Sequence, residues 1–329
     1  MNVDLSALPG LRARPYRGPA DHAAMAELIT RWFGAVDSDG FVTAEDLDHN
    51  YGHLENCDPE VDMVMVETDA GRLVGYTRTD WNQVVDGARE YSVFAKFDPD
   101  MRGTKLPVAL LEAGRGRARE IAAGHELHCA RLFAGWASDR EPELLAAYAM
   151  LGFTPVTYGA TMVRQDLENI PAAPLPDGLE IRPVEESHLR AIWEADIEAF
   201  RDHWGFSEQS EEAWDRFLTR PHRDESLWKV AWLGDDVIGQ VRSFINHDEN
   251  QEFGRLRGWT EDISTRRDWR KRGVARALIC ESLRELGARG MAEAALGVHT
   301  ENPTGAFQLY ESLGYVVTEM FTTFHQPLD

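Results

Sequence analysis

The segment Arg270–Ala275 combines positive charge with small side chains at the expected start of a helix. It consists of Arg270, Lys271, Arg272, Gly273, Val274 and Ala275. The first N–H groups of a helix lack partners within the helix, and the helix dipole adds about half a positive charge there. Gly273 leaves those groups accessible and the basic side chains add charge, so the segment suits a bound diphosphate. The alternative is a loop glycine among solvated basic side chains.

A second segment, 302–315, places a phenol on the next expected helix. Asn302 is a favourable N-cap and Pro303 a favourable first helical residue. The residues spaced to share one helix face are Ala306, Leu309, Tyr310 and Leu313. From this face the Tyr310 hydroxyl could protonate a leaving thiolate. The alternative is an amphipathic core residue whose hydroxyl lies at the rim.

The strand-like run Trp259–Thr265 precedes the basic segment and contains two carboxylates. Period-two alternation predicts that Glu261, Ile263 and Thr265 share one face. Glu261 could accept a proton from an ammonium group, directly or through water. A rim carboxylate or an ion-pair partner is the alternative reading of Glu261, and Asp262 is the alternative base.

The elements that position these groups recur twice along the chain. The spacing of Ala275, Ile279, Leu283 and Leu286 predicts a helix that begins near Gly273 and packs against a sheet. Each half then repeats the order first strand, helical region, hairpin, long strand, helix, strand, helix and last strand. The run 165–178 carries three prolines and reads as a linker. The long-period repeat predicts two copies of one α+β domain, with limits 1–165 and 179–329 and a linker at 166–178.

The basic segment and the phenol segment, in this order, resemble the acyl-CoA pocket of the GNAT superfamily of N-acetyltransferases. Asn302, Tyr310 and Gly314 match the second cofactor motif of that family. The resemblance implies two tandem GNAT-like domains. Each would be a mixed, mostly antiparallel sheet with a central, splayed parallel strand pair flanked by helices.

The resemblance also implies how a cosubstrate, acetyl-CoA, is held. The strand carrying Glu261 would splay from the strand 294–299, and backbone groups of Ile263 and Thr265 would bond the cofactor in the gap. Asn302 would lie near the pantetheine arm and Tyr310 near the thioester sulfur. An amine would then attack the thioester directly in a ternary complex, without a metal or a covalent intermediate.

Three residues after the first helix of the second half are candidates for binding the acceptor. Asp202, His203 and Trp204 lie where GNAT folds usually place acceptor-binding residues. A tryptophan beside an aspartate could hold a cationic or sugar-like ligand. Alternatively, Trp204 plugs the base of the domain, with a turn at Gly205. The resemblance to the GNAT superfamily implies a small-molecule primary amine as acceptor.

The first half resembles the second at the level of fold but not in its cofactor motifs. In alignment, Lys105 stands opposite Gly273 and Pro107 opposite Ala275. A lysine side chain would obstruct a diphosphate, and proline removes a helix-start N–H. Arg140 stands opposite Asn302, whereas Tyr148 matches Tyr310. We expect a GNAT-like first domain that is non-catalytic and has lost ordinary CoA binding.

Composition narrows the remaining possibilities. A formal charge of −22 argues against nucleic acid or an anionic membrane as main partner. Three scattered cysteines form no disulfide framework, and neither a signal peptide nor a membrane span is evident, so a cytoplasmic location is expected. The motif 125–129, His-Glu-Leu-His-Cys, resembles a metal site. We expect it to start a strand whose alternation separates the ligands, and predict no metal.

Two classes of function therefore remain. The first is an N-acetyltransferase, favoured by Tyr310 and Glu261, and the second is a non-catalytic acyl-CoA-binding or regulatory module. Tandem GNAT architecture is shared by mycothiol synthase and some antibiotic-modifying acetyltransferases, and no set of residues selects either. The sequence leaves open the acceptor and whether the chain is a monomer or a homodimer.

Overall fold

The computed structural model describes residues 1–85, 87–126, 128–301 and 304–328. The chain divides into two compact units, each built on one mixed sheet with helices against it. Unit 1 comprises Met1–Tyr158 with Glu319–Asp329, and unit 2 comprises Gly159–Thr318. The α+β class expected from the repeat is confirmed. Within the described residues, no helix has the length and apolar character that crossing a membrane requires.

The first half of the chain forms five strands and five helices among its described residues. These are β1 (Leu11–Arg14), α1 (His22–Ala35), α2 (Ala44–Gly52), α3 (Pro59–Asp62), β2 (Met63–Thr68), β3 (Leu73–Gln83), β4 (Arg89–Phe97), α4 (Leu106–Ala123), β5 (Arg131–Ser138) and α5 (Pro142–Met150). The short helices α2 and α3 were not individually predicted.

The second half repeats this order after one further strand. Its elements are β6 (Thr154–Arg164), β7 (Glu180–Ile181), α6 (Leu189–Phe200), α7 (Glu211–Thr219), β8 (Lys229–Leu233), β9 (Asp236–Phe244), α8 (His247–Phe253), β10 (Arg257–Thr265), α9 (Val274–Ala288), β11 (Glu293–His299), α10 (Ala306–Ser312) and β12 (Val316–Pro327). Helix α8, between β9 and β10, was not predicted.

Each sheet is antiparallel except for one central parallel pair. The sheet of unit 1 has the order β1-β2-β3-β4-β5-β12, and that of unit 2 has the order β6-β11-β10-β9-β8-β7. The parallel neighbours are β4 with β5 and β10 with β11. This arrangement agrees with the expected mixed, mostly antiparallel sheets.

The unit limits differ from the predicted domain limits because the two last strands change places. Residues 159–164 of β6 pair with β11 in unit 2, whereas residues 321–327 of β12 pair with β5 in unit 1. Residues 159–178 therefore lie in unit 2, and residues 319–329 lie in unit 1. Strand pairing, which the linear repeat does not reveal, is the reason for the difference.

Helices α4 and α9 pack against the sheets of their own units. In α9, Ile279, Leu283 and Leu286 are fully buried, and Ala275 is half-buried. The predicted helix and its apolar face are therefore confirmed. In α4 the corresponding buried residues include Leu106, Leu110, Leu111 and Ala118. Burial of these faces fixes the start of each helix against the end of its parallel strand pair.

Candidate active site

The parallel strands of unit 2 diverge after a short paired stretch. Their register joins Arg257 to Glu293, Gly258 to Ala294 and Trp259 to Ala295. Both strands then continue, β10 to Thr265 and β11 to His299. The geometry agrees with a gap between these strands at the height of Glu261.

A β-bulge in β10 changes which side chains share a face. Glu261 pairs with Arg242 and Ser264 with Gln240, so β10 carries one extra residue between these pairs. Within the bulge, Asp262 has a left-handed backbone, with φ of +49°. The prediction that Glu261, Ile263 and Thr265 alternate onto one face is therefore wrong, because the extra residue shifts Thr265 to the opposite face from Glu261.

The Glu261 carboxylate reaches across the gap to β11. Its Oε1 atom accepts a hydrogen bond from the Gly297 N–H, at 2.9 Å. Burial, and next the negative charge of Asp262, raise the pKa of Glu261 to about 8, against the opposing effect of the Gly297 hydrogen bond. A carboxyl group with this pKa suits proton abstraction near neutral pH.

Asp262 has a different environment from its neighbour. Its carboxylate pairs with Arg220, at 2.5 Å, and with Arg242, at 3.5 Å. Burial alone would raise the pKa of Asp262, but the two guanidinium groups outweigh burial and lower it. Glu261 is therefore the better candidate for the base.

Tyr310 lies on α10 and is 5% exposed. Burial, and next the charge of Glu261, raise the pKa of its hydroxyl well above the ordinary value of 10. The phenol therefore stays protonated at neutral pH, as a proton donor must. Helix α10 begins at Ala306, and its N-cap position is Gly305. The predicted N-cap Asn302 and first residue Pro303 lie outside the described residues.

The basic segment ends at the start of α9, as predicted. Gly273 is the N-cap, with φ of +91°, and a β-carbon added there would meet no atom within 4 Å. Lys271, Arg272 and Gly273 are exposed, whereas Val274 is buried beneath them. The start of α9 therefore offers open space beside a positive helix end, which fits a diphosphate.

Arg270 is held differently from the other basic residues of the segment. Its guanidinium donates to Asp202 Oδ1 at 2.9 Å, to Ala199 O at 2.6 Å and to Thr265 O at 3.2 Å. The hydrogen bond from Arg270 lowers the pKa of Asp202. Arg270 and Asp202 thus join the loop to the end of α6. Their charges compensate each other, and the roles predicted for Arg270 at the cofactor and for Asp202 at the acceptor stay predictions.

His203 and Trp204 lie in the connection between α6 and α7, as expected. The rings of both approach the His299 ring at the end of β11, with centroid distances of 4.9 Å for His203 and 5.9 Å for Trp204. Burial, and next the charge of His203, lower the pKa of His299. Trp204 is 44% exposed, which disagrees with a buried plug. Sequence reasoning missed His299, although its place at the end of a splayed strand is a usable signal.

Residues 189–315 match the model of the acetyltransferase (GNAT) family. They include the bulge, the basic segment and Tyr310. Residues 189–315 thus form a GNAT acetyltransferase region. The resemblance identified from the two segments is therefore confirmed.

Relatives of this chain include proteins named mycothiol acetyltransferase. The protein from Acidothermus cellulolyticus is 27% identical over 267 residues, covering 77% of this chain and 76% of the relative. The protein from Salinispora arenicola is 26% identical over 301 residues, covering 90% of this chain and 91% of the relative.

Solved structures share the fold over nearly the whole length of this chain. A GCN5-related N-acetyltransferase from Sphaerobacter thermophilus has a TM-score of 0.75 and 24% identity, covering 97% of this chain and 96% of that one. A tandem GNAT protein from the clavulanic acid biosynthesis pathway has a TM-score of 0.66 and 14% identity, covering 97% of this chain and 99% of that one. The expected tandem GNAT fold is confirmed.

In unit 1, a tyrosine occupies the corresponding gap. Strands β4 and β5 pair only from Arg89–Arg131 to Ser92–Ala134. Beyond that point the Tyr148 hydroxyl donates to Val93 O at 2.8 Å. A β-carbon at Gly135 would lie 2.6 Å from the Tyr148 hydroxyl oxygen. By register with the preceding strand, Phe94, opposite Arg78, corresponds to Glu261, opposite Arg242, so this gap contains a phenol and lacks a base.

The helix start in unit 1 also differs from that in unit 2. Lys105 is the N-cap of α4, with φ of −82°, and Pro107 lies in its first turn. Nearby, the Lys96 ammonium is buried against Glu141, at 2.8 Å. These contacts agree with the expected loss of an open diphosphate site.

The motif 125–129 does not begin a strand, because β5 begins at Arg131. Leu127 lies outside the described residues. Of the rest of the motif, the exposed His128 contacts Glu126, at 2.7 Å. Among described residues, no three His, Cys, Asp or Glu side chains converge as a metal site would require.

Proposed function

We propose that the chain is an acetyl-CoA-dependent N-acetyltransferase that acts on a small-molecule primary amine by direct transfer in a ternary complex. The observation that carries the proposal is the Glu261 carboxylate. It lies in the gap between β10 and β11, bonded to Gly297 and close enough to Tyr310 to alter its pKa. A carboxylate in this gap with a buried phenol close to it suits acyl transfer from a thioester to an amine.

The start of α9 would hold the diphosphate of acetyl-CoA. The N–H groups following Gly273 face open space, and Lys271 and Arg272 add exposed positive charge. Backbone groups of Ile263 and Thr265 remain our candidates for bonding the pantetheine, and Asn302, which lies outside the described residues, remains a predicted contact of the same arm. Arg270 would act indirectly, by holding the loop to α6.

Each proton transfer has one proposed residue. Acetyl-CoA supplies the activated acetyl thioester. Glu261, when ionised, takes a proton from the incoming ammonium, and this leaves a neutral amine as nucleophile. Tyr310 shares its proton with the departing sulfur, whose thiol has an ordinary pKa of about 8.5. His203 and Trp204, beside His299, remain the candidates for contacting the acceptor.

A change at Gly273 tests the diphosphate site. Gly273→Glu is expected to weaken acetyl-CoA binding about 10- to 100-fold, because a carboxylate would repel the diphosphate. Gly290→Glu is a matched control. Gly290 follows the other end of α9, has φ of +86° and also has nothing within 4 Å. The backbone strain is comparable, so calorimetry on the two variants isolates the effect of position. Equal acetyl-CoA affinities of the two variants would show that the diphosphate does not bind at the start of α9.

The number of acetyl-CoA sites per chain tests which of the two domains binds the cosubstrate. We infer that residues 1–165 form the non-catalytic domain and 179–329 the catalytic one, apart from the exchanged strands. Tyr148, Phe94 and Lys105 support this inference. Calorimetry with acetyl-CoA is expected to give one site per chain. Two equivalent sites would contradict it.

The acceptor has one specific second candidate. Because the relatives are named mycothiol acetyltransferase and match up to 90% of this chain, the deacetylated form of mycothiol belongs in an acceptor panel. Coenzyme A release should be followed chromatographically, since this acceptor itself carries a thiol. Tight acetyl-CoA binding without transfer to any amine in the panel would favour the non-catalytic acyl-CoA-binding module.

A further inference from the structure

Asp262 occupies a conformation that few residues adopt. Its φ of +49° lies in the left-handed region, which aspartate and asparagine tolerate better than most non-glycine residues. The extra residue of the bulge lies directly after Glu261. Any change in the Asp262 backbone therefore changes the direction in which Glu261 leaves the strand.

Two arginines hold the Asp262 side chain from different elements. Arg220 follows the end of α7, and Arg242 lies on β9 in register with Glu261. The Arg220 guanidinium lies 5.3 Å from the Phe244 ring centroid, and the Arg242 guanidinium lies 5.0 Å from the Phe217 centroid. Each guanidinium group thus contacts both the Asp262 carboxylate and an aromatic ring, and these contacts together fix its position.

The network continues from Arg242 into the core of unit 2. Asp196, on α6, pairs with Arg242 at 2.5 Å. Gln240, next to Arg242 on the same face of β9, donates to Ile192 O at 3.0 Å. Breaking one partner of such a buried network is costly, because it leaves an uncompensated charge. The bulge is thus anchored to α6, β9 and the end of α7.

The charged and titratable groups around Glu261 come from every neighbouring element. They are Asp262 on its own strand, Arg220 after α7, Arg242 on β9, Asp196 on α6, Tyr310 on α10, and Tyr315 before β12. The two tyrosines stay neutral. Asp196 is linked to Glu261 only indirectly, because it pairs with Arg242, which in turn pairs with Asp262. Asp262 and Arg220 are therefore the direct charges of opposite sign.

We propose that Asp262 is a positioning residue for Glu261: held by Arg220 and Arg242, it fixes the direction of the Glu261 carboxylate and keeps a permanent negative charge beside it. The proposal rests on the proposed role of Glu261 as base. In this proposal Asp262 sets the orientation and the pKa of Glu261 and does not itself transfer a proton.

Two substitutions that each remove one charge should shift the titration midpoint of Glu261 in opposite directions. A merely structural role of Asp262 would not produce these opposite shifts. Asp262→Asn keeps the shape and tolerates the left-handed backbone but removes the charge. It is expected to lower the titration midpoint of Glu261 by about one pH unit, and Arg220→Gln is expected to raise it. Glu194→Gln breaks an exposed ion pair with Arg190 on α6 and should leave the midpoint unchanged.

The midpoint can be read without an acceptor, by NMR of protein labelled with carbon-13 in the glutamate side-chain carboxyl. The Glu261 signal is identified by its loss in Glu261→Gln. A midpoint unchanged in Asp262→Asn, with acetyl-CoA binding intact by calorimetry, overturns the inference while leaving the base assignment in place. Full transfer activity in Glu261→Gln instead overturns the base assignment and the inference with it.

Discussion

Tyr310→Phe is expected to lower turnover about 10²- to 10⁴-fold while leaving acetyl-CoA affinity nearly unchanged. The substitution removes only the hydroxyl, and a general acid acts mainly in the transition state. The buried position of Tyr310 is filled equally well by phenylalanine. Steady-state kinetics with a responsive amine, together with calorimetry for acetyl-CoA, measure the two quantities separately.

Tyr148→Phe is the internal control for this experiment. Tyr148 occupies the corresponding place in unit 1, is buried, and donates to Val93 O. Its loss is expected to cost about 1 kcal/mol of stability and little turnover. Unaltered turnover in Tyr310→Phe, with chemistry shown to be rate-limiting, would remove Tyr310 from the mechanism. Equal losses in both variants would indicate a structural effect.

The parts of the site that could be predicted depend on local sequence. The apolar spacing along α9 and the glycine before it predict the helix, its buried face and its N-cap at Gly273. The hairpins follow from the strand-like runs and the turn residues between them. These features are determined by residues close together in the chain, so periodicity and turn residues are sufficient signals. The parallel pairs are implied only by the resemblance to the GNAT superfamily.

The parts that could not be predicted depend on distant pairing. The bulge at Asp262 depends on the register between β10 and β9, which alternation within β10 does not reveal. The ion pair between Arg270 and Asp202 joins groups on separate elements. The exchange of the last strands likewise depends on pairing partners, since β6 and β12 occupy corresponding places in the repeat.

The two gaps of the repeat show how little change separates a candidate active site from an inactive one. In unit 2, a carboxylate bonds the N–H of Gly297, and Tyr310 lies nearby. In unit 1, Phe94 stands at the place of Glu261 and cannot play that role, and the Tyr148 hydroxyl donates to the backbone carbonyl of Val93. The phenol without its carboxylate thus becomes a structural hydrogen-bond donor. A pair of residues, and not the tyrosine alone, therefore carries the proposed chemistry.

Glu261→Gln tests the other member of that pair, with opposite expected effects on activity and stability. Turnover is expected to fall about 10²- to 10⁴-fold, the usual contribution of a general base. In the parent protein, kcat/KM should rise with pH until Glu261 is ionised, near pH 8. The variant should lose this limb and keep only the dependence set by the amine itself. Glu311→Gln, an exposed carboxylate beside Tyr310, is the control.

The stability effect follows from the sign of the same pKa shift. The carboxyl has an ordinary pKa of 4.5 in the unfolded chain and about 8 in the folded protein. Its stabilising contribution is complete below pH 4.5 and is lost as pH rises toward 8, because only the unfolded chain then ionises freely. Glutamine cannot ionise, so the variant should gain thermal stability over the parent at pH 9 and little at pH 4. Equal melting temperatures for the two proteins at pH 9 would mean that burial does not destabilise the ionised form of Glu261. The pKa of Glu261 would then not be raised, and the physical basis for a base that titrates near pH 8 would be lost.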